Sequence, residues 1–160
     1  MPDLNSLIQA LANQLQARRL SLATAESCTG GLIAKLCTDL PGSSAWFDCG
    51  FISYSNASKR RLLGVAAETL SQYGAVSEAV VKQMASGALQ QSDAQVSVAI
   101  SGIAGPGGGS AEKPVGMVCF AWALPNQSVF SQTQYFQGER DSIRQQAAYY
   151  AFTQLLAGLN

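Results

Sequence analysis

The sequence predicts an α/β protein, a three-layer α/β/α sandwich built on a mixed β-sheet. Short apolar, β-branched runs alternate along the chain with stretches that repeat apolar residues at helical spacing. The last two such runs are separated only by Pro125-Asn126-Gln127, as in an antiparallel hairpin, whereas the earlier ones are separated by helices, as parallel strands require. With 160 residues, 48% of them hydrophobic, there is enough chain for one ordinary core, so a single domain over 1–160 is expected.

In order, Leu4, Leu7, Ile8, Leu11, Ala12 and Leu15 share one helical face, and Arg18 and Arg19 suit the end of that helix. Residues 20–25 read as a strand, followed by a tight turn at Ser27 and a helix over about 29–40 that Pro41-Gly42 stops. Residues 46–54 have the aromatic content of a buried strand. A short helix follows over 55–64, opened by Ser55 and closed by Gly64, which puts Lys59 about one turn in. Helices are expected over 68–73 and 77–91, the second burying Val80, Val81, Met84, Ala85 and Ala88. Val96, Val98 and Ile100 mark another strand, which runs into a loop over 101–110 too rich in glycine for helix or strand. The hairpin spans 115–124 and 129–135, and 141–159 repeats Ile143, Ala147, Ala148, Ala151, Phe152, Leu155 and Leu156 at helical spacing.

Composition removes several classes of function. Ten basic and ten acidic side chains cancel, which leaves no electrostatic footprint for nucleic acid or an anionic membrane and favours a small-molecule ligand. Asp3 and the helical spacing after it argue against a signal peptide or a membrane span, so the expectation is a cytoplasmic protein with reduced thiols. Cys28, Cys37, Cys49 and Cys119 show no CxxC spacing, and no histidine is present, so no metal site is expected. The missing imidazole also excludes a Ser-His-Asp triad: a hydrolytic nucleophile here needs lysine, tyrosine, a carboxylate or water to activate it.

Three places combine reactive side chains with permissive backbone, and each follows a strand, where ligands gather in open α/β sheets. At Ser27-Cys28-Thr29-Gly30-Gly31 a nucleophile precedes a turn whose N–H groups could meet an anion, although a helix start capped by Ser27 or Thr29 would look the same. Lys59 is a candidate base if burial or positive neighbours lower its pKa, and Tyr54 could relay a proton or hydrogen-bond both partners into place. The plainer reading makes Lys59, Arg60 and Arg61 a solvated helix face and Tyr54 a packing residue. The loop over 101–109 gives up stability for its glycines, which asks for a ligand or a close contact in return. It has neither the GKS/T ending of a phosphate loop nor a GxGxxG opening a helix, and no cofactor is expected. Arg140 could clamp a phosphate or pair with a surface carboxylate, and Cys28 is a rival nucleophile or a small buried residue.

Seven separated motifs occur in family order: Thr24-Ala25-Glu26-Ser27-Cys28-Thr29-Gly30-Gly31; Tyr54-Ser55-Asn56 with Lys59; Leu63-Gly64-Val65; Gly74-Ala75-Val76-Ser77; Ser101-Gly102-Ile103-Ala104-Gly105-Pro106-Gly107-Gly108; Lys113-Pro114-Val115-Gly116; and Gly138-Glu139-Arg140. Together they resemble the CinA C-terminal domain family, whose members include stand-alone nicotinamide-nucleotide amidases. Glu139 stands where the family pattern has aspartate, which keeps the charge. The resemblance implies hydrolysis of nicotinamide mononucleotide to nicotinic acid mononucleotide and ammonia, in pyridine nucleotide recycling. It maps the family's serine, lysine and tyrosine onto Ser27, Lys59 and Tyr54. Thr29, Gly30 and Gly31, with Ser101, Gly102, Ala104 and Gly105, are then expected to hold the oxyanion or the phosphate, and Arg140 the phosphate. The alternative is a catalytically inactive nucleotide-binding or interaction protein of the same fold. Apolar surface on helices such as 77–91 suggests a homodimer.

Overall fold

Large and small side chains alternate along the central strands, and this alternation sets how closely helices approach each face of the sheet. The computed structural model describes residues 2–160. Its elements are α1 (Leu4–Ala17), β1 (Leu22–Glu26), α2 (Leu32–Thr38), a 3-10 turn (Ser43–Ala45), β2 (Phe47–Ile52), α3 (Asn56–Leu63), α4 (Ala67–Tyr73), α5 (Glu78–Gln90), β3 (Val96–Gly102), β4 (Met117–Ala123), β5 (Phe130–Tyr135) and α6 (Arg140–Leu159). The strands form one mixed sheet in the order β2-β1-β3-β4-β5, with β2, β1 and β3 parallel and β4 and β5 antiparallel.

One face presents Leu22, Val96, Val98, Ile100, Val118, Phe120 and Trp122 to α1, α2 and α6. The other presents Ala23, Ala25, Ala99, Cys119, Ala121 and Ala123, whose small side chains let α5 settle close to the sheet through Val80, Val81, Met84, Ala85 and Ala88. Trp122 is fully buried, and its indole N–H donates to the Ala151 carbonyl at 3.0 Å, so the ring is buried with its one polar atom satisfied. Helix α3 is fixed against α5 by near backbone contact: a Cβ at Gly87 would lie 1.9 Å from the Leu63 carbonyl oxygen.

The predicted sandwich is the observed one, with two local differences at the first turn. The first strand runs on to Glu26 instead of ending at Ala25, because its register continues against both β2 and β3. The following helix begins at Leu32 rather than near Thr29, since Gly30 and Gly31 both have positive φ and cannot continue a right-handed helix. The apolar residues Val80, Val81, Met84, Ala85 and Ala88 of α5 pack on the sheet, as their spacing predicts.

Filling the α3–α5 contact should loosen the helix that carries Lys59. Gly87→Ala is expected to cost about 1–3 kcal/mol of stability, measured as a lowered urea midpoint.

Candidate active site

Parallel strands deliver their C-terminal ends to one edge, and the three segments singled out in the sequence follow β1, β2 and β3 there. Backbone bonds stitch them together. The Ser27 N–H donates to the Ile100 carbonyl at 3.0 Å, and the Ser53 N–H donates to the Glu26 carbonyl at 2.8 Å. Alternation along β1 then sends Glu26 toward α2 and Ser27 toward α3.

Helix α3 begins at a capped end, with the Ser55 hydroxyl accepting the Ser58 N–H at 3.0 Å. One turn later Lys59 points inward and is only 1% exposed, while Arg60 and Arg61 face solvent. The solvated-face reading therefore holds for the two arginines and not for the lysine. Its Nζ lies 3.0 Å from Ser27 Oγ, 2.9 Å from the Ser53 carbonyl and 3.1 Å from the Tyr54 carbonyl.

A neutral amine has two N–H donors and one lone pair. The three N–H groups of the protonated amine have three acceptors here, the two carbonyls and Ser27 Oγ; a neutral Lys59 that kept both carbonyls would turn its lone pair to the Ser27 hydroxyl. Burial holds the Lys59 pKa below its ordinary value of 10.5. No carboxylate opposes that burial, because the single ion pair among the described residues joins Lys35 to Asp39 on the surface. Cys28 lies on the same cavity, but burial pushes its thiol up to about 12, which keeps it protonated and a poor rival to Ser27.

A cavity of about 250 Å³ opens over this pair, lined by Ser27, Cys28, Lys59, Tyr54, Arg140 and the loop through Ser101, Gly102, Ala104 and Gly105. Tyr54 acts differently from the sequence reading. Its ring is 61% exposed and bonds neither Ser27 nor Lys59; its carbonyl holds Lys59, and its hydroxyl receives an Arg140 N–H at 3.4 Å. Arg140 opens α6, donates to the Gly105 carbonyl at 2.7 Å and faces no carboxylate. Cys28, Ala104 and Gly105 line the cavity, and among the described residues their backbone N–H groups make no hydrogen bond to another residue.

The Gly30 and Gly31 N–H groups and the Thr29 hydroxyl are already bonded within the chain, against the expectation that Thr29, Gly30 and Gly31 hold a ligand anion. Glu26 Oε1 accepts the Thr29 hydroxyl at 2.6 Å, the Gly31 N–H at 3.2 Å and the Ile33 N–H at 2.9 Å, and Oε2 accepts the Ala34 N–H at 3.1 Å. The Gly30 N–H is bound to the Ser27 carbonyl at 3.1 Å. None of the three residues lines the cavity. Neither Ser27 nor Thr29 is the N-cap; Gly31 occupies that position without a side-chain bond, and the acid one residue before the turn satisfies the helix instead. Sequence reasoning missed this role of Glu26, although a carboxylate just ahead of two glycines and a helix was a visible signal. It also missed the cavity wall at Ala75 and Val76, and the Ser53 and Tyr54 carbonyls, since main-chain acceptors leave no mark on side-chain identity.

Comparison with known proteins finds relatives over nearly the whole chain. The model of the CinA C-terminal domain matches residues 4–159. The nicotinamide-nucleotide amidohydrolase PncC of Escherichia coli K12 is 51% identical over 153 residues, covering 96% of this chain and 93% of that protein. The protein of the same name from Pseudomonas putida is 46% identical, covering 98% and 97%. Among solved structures, the competence/damage inducible protein CihA of Agrobacterium tumefaciens superposes with a TM-score of 0.94 at 46% identity, covering 98% and 96%.

The buried amine should leave a signature in stability. Because the folded state holds the Lys59 pKa below 10.5, the unfolded chain binds more protons in the window between the folded value and 10.5. Stability should therefore rise with pH across that window, and the rise should be smaller in Lys59→Met, as measured by urea unfolding at stepped pH.

Proposed function

The chain belongs to the CinA C-terminal domain family, and on that premise we propose that it is a nicotinamide-nucleotide amidohydrolase working through Ser27 and Lys59. The observation that carries the mechanism is the 3.0 Å approach of Lys59 Nζ to Ser27 Oγ with both remaining donors held by carbonyls. Relatives of similar length named for this activity support the reaction.

In the proposed cycle, Ser27 Oγ attacks the carboxamide carbon of nicotinamide mononucleotide while Lys59 takes the hydroxyl proton. The carbonyl oxygen becomes an oxyanion, for which the open N–H groups at Cys28 and at Ala104 and Gly105 are the available donors. Lys59 returns its proton to the leaving nitrogen, the C–N bond breaks, and ammonia departs, leaving an ester on Ser27. Water, deprotonated by Lys59, then attacks that ester; nicotinic acid mononucleotide leaves and Ser27 recovers its proton. No metal or redox partner enters the balance.

Arg140 is assigned to the phosphate. It stands at the cavity mouth, uses two N–H bonds on the Gly105 carbonyl and the Tyr54 hydroxyl, and keeps the rest of its guanidinium for a ligand. Tyr54 is assigned to orienting that guanidinium, and Ser101 and Gly102 to the cavity wall beneath the substrate. The proposed setting is cytoplasmic, in keeping with four free cysteines. Among the described residues no helix is long and apolar enough to cross a membrane.

Ammonia release from nicotinamide mononucleotide tests the reading directly, and no release by the purified wild-type chain would overturn it. Ser27→Ala and Lys59→Ala should each lower kcat by about 10²–10⁴-fold. Wild-type kcat/KM should rise with pH to a plateau set by an apparent pKa below 10.5, with that limb absent in Lys59→Ala. Arg140→Ala should act mainly on KM, raising it about 10–100-fold as a charge-assisted contact is lost.

A further inference from the structure

The carboxylate of Glu26 faces away from the cavity, is 1% exposed, and touches nothing on the substrate side. Yet it is the most heavily bonded side chain near Ser27, receiving one hydroxyl and three backbone N–H groups from residues 29–34. We propose that Glu26 is a positioning residue that sets the Ser27–Lys59 distance by clamping the 27–31 turn onto the start of α2. The proposal rests on the amidohydrolase reading above and adds to it the device that aligns the two reacting groups.

The physical case begins with the turn. Gly30 and Gly31 have φ of +60° and +105°, so the chain between β1 and α2 carries little conformational restraint of its own. Helix α2 is short, its N-cap has no side-chain bond, and an unsatisfied buried N-terminus is costly. Glu26 removes both problems with one side chain: Oε1 gathers Thr29, Gly31 and Ile33 while Oε2 takes Ala34. Negative charge at a helix start is favourable in its own right. Thr29, clamped this way, is itself gripped on its carbonyl by the Arg144 guanidinium at 2.9 Å.

The same residue reaches the base through its main chain. The Glu26 carbonyl accepts the Ser53 N–H at 2.8 Å, and the Ser53 carbonyl accepts Lys59 Nζ at 2.9 Å. One position thus orients the nucleophile through its side chain and the base through its backbone. By consuming the helix-start donors it also directs any substrate anion to the loop after β3 instead of to α2.

Crystal structures and steady-state kinetics of Glu26→Gln test the role. Gln keeps the shape but turns an acceptor into a donor facing N–H groups, so Ser27 Oγ should move beyond hydrogen-bond reach of Lys59 Nζ, about 3.5 Å. Misalignment on that scale should lower kcat about 10–100-fold, with KM held within about threefold because no substrate contact is removed. Thr29→Val deletes one of the four donors and should lower kcat about 3- to 10-fold with the same split; it serves as the readout if Glu26→Gln does not fold. An unchanged Ser27–Lys59 distance, or full kcat per folded molecule with only a lowered Tm, overturns the positioning role. Should the wild-type chain release no ammonia, the amidohydrolase reading fails on its own, while the crystallographic distance still decides the role of Glu26.

Discussion

A lysine amine buried without a counter-charge is the constraint on which the site depends. Removing a cation from water is expensive unless another charge opposes it, and Lys59 meets only two carbonyls and a hydroxyl. Such surroundings favour the neutral amine over the ammonium and hold the Lys59 pKa below its ordinary value. The cost is borne by the surrounding packing, which must exclude water from Lys59 while leaving Ser27 on the wall of an open cavity.

That packing is a consequence of the sheet. The alanine-rich face of β1, β3 and β4 admits α5 closely, and α5 in turn holds α3 through the Gly87–Leu63 backbone approach. Lys59 is carried on α3, so its depth is decided by residues that never touch it. On the opposite face, larger side chains hold α1, α2 and α6 away from the strands, and Glu26 reaches into that layer to close the start of α2. Glu26 and Ser27 thus leave the end of β1 on opposite faces, and the alternation of side chains along β1 puts Ser27 on the same side as Lys59 of α3.

Division of labour at the strand ends follows from which N–H groups are already committed. The start of α2, which resembles an anion site in sequence, is filled by a carboxylate from its own chain. The loop after β3 keeps open donors at Ala104 and Gly105, and Arg140 bridges that loop to Tyr54 across the cavity mouth.

Periodicity and punctuation in the sequence were enough to determine the layered α/β architecture, the hairpin, the capped start at Ser55 and the absence of an imidazole mechanism, because each depends on residues near one another in the chain. Ser27 and Lys59 could be named as partners from chemistry and family resemblance. Their 3.0 Å approach, the exposure of the Tyr54 ring and the capture of the α2 N-terminus by Glu26 were decided only by tertiary structure. The physical reason is that burial and hydrogen-bond satisfaction are properties of surroundings: Lys59, Arg60 and Arg61 are alike in sequence, and only the helix face turned toward the core separates a buried amine from two solvated guanidinium groups.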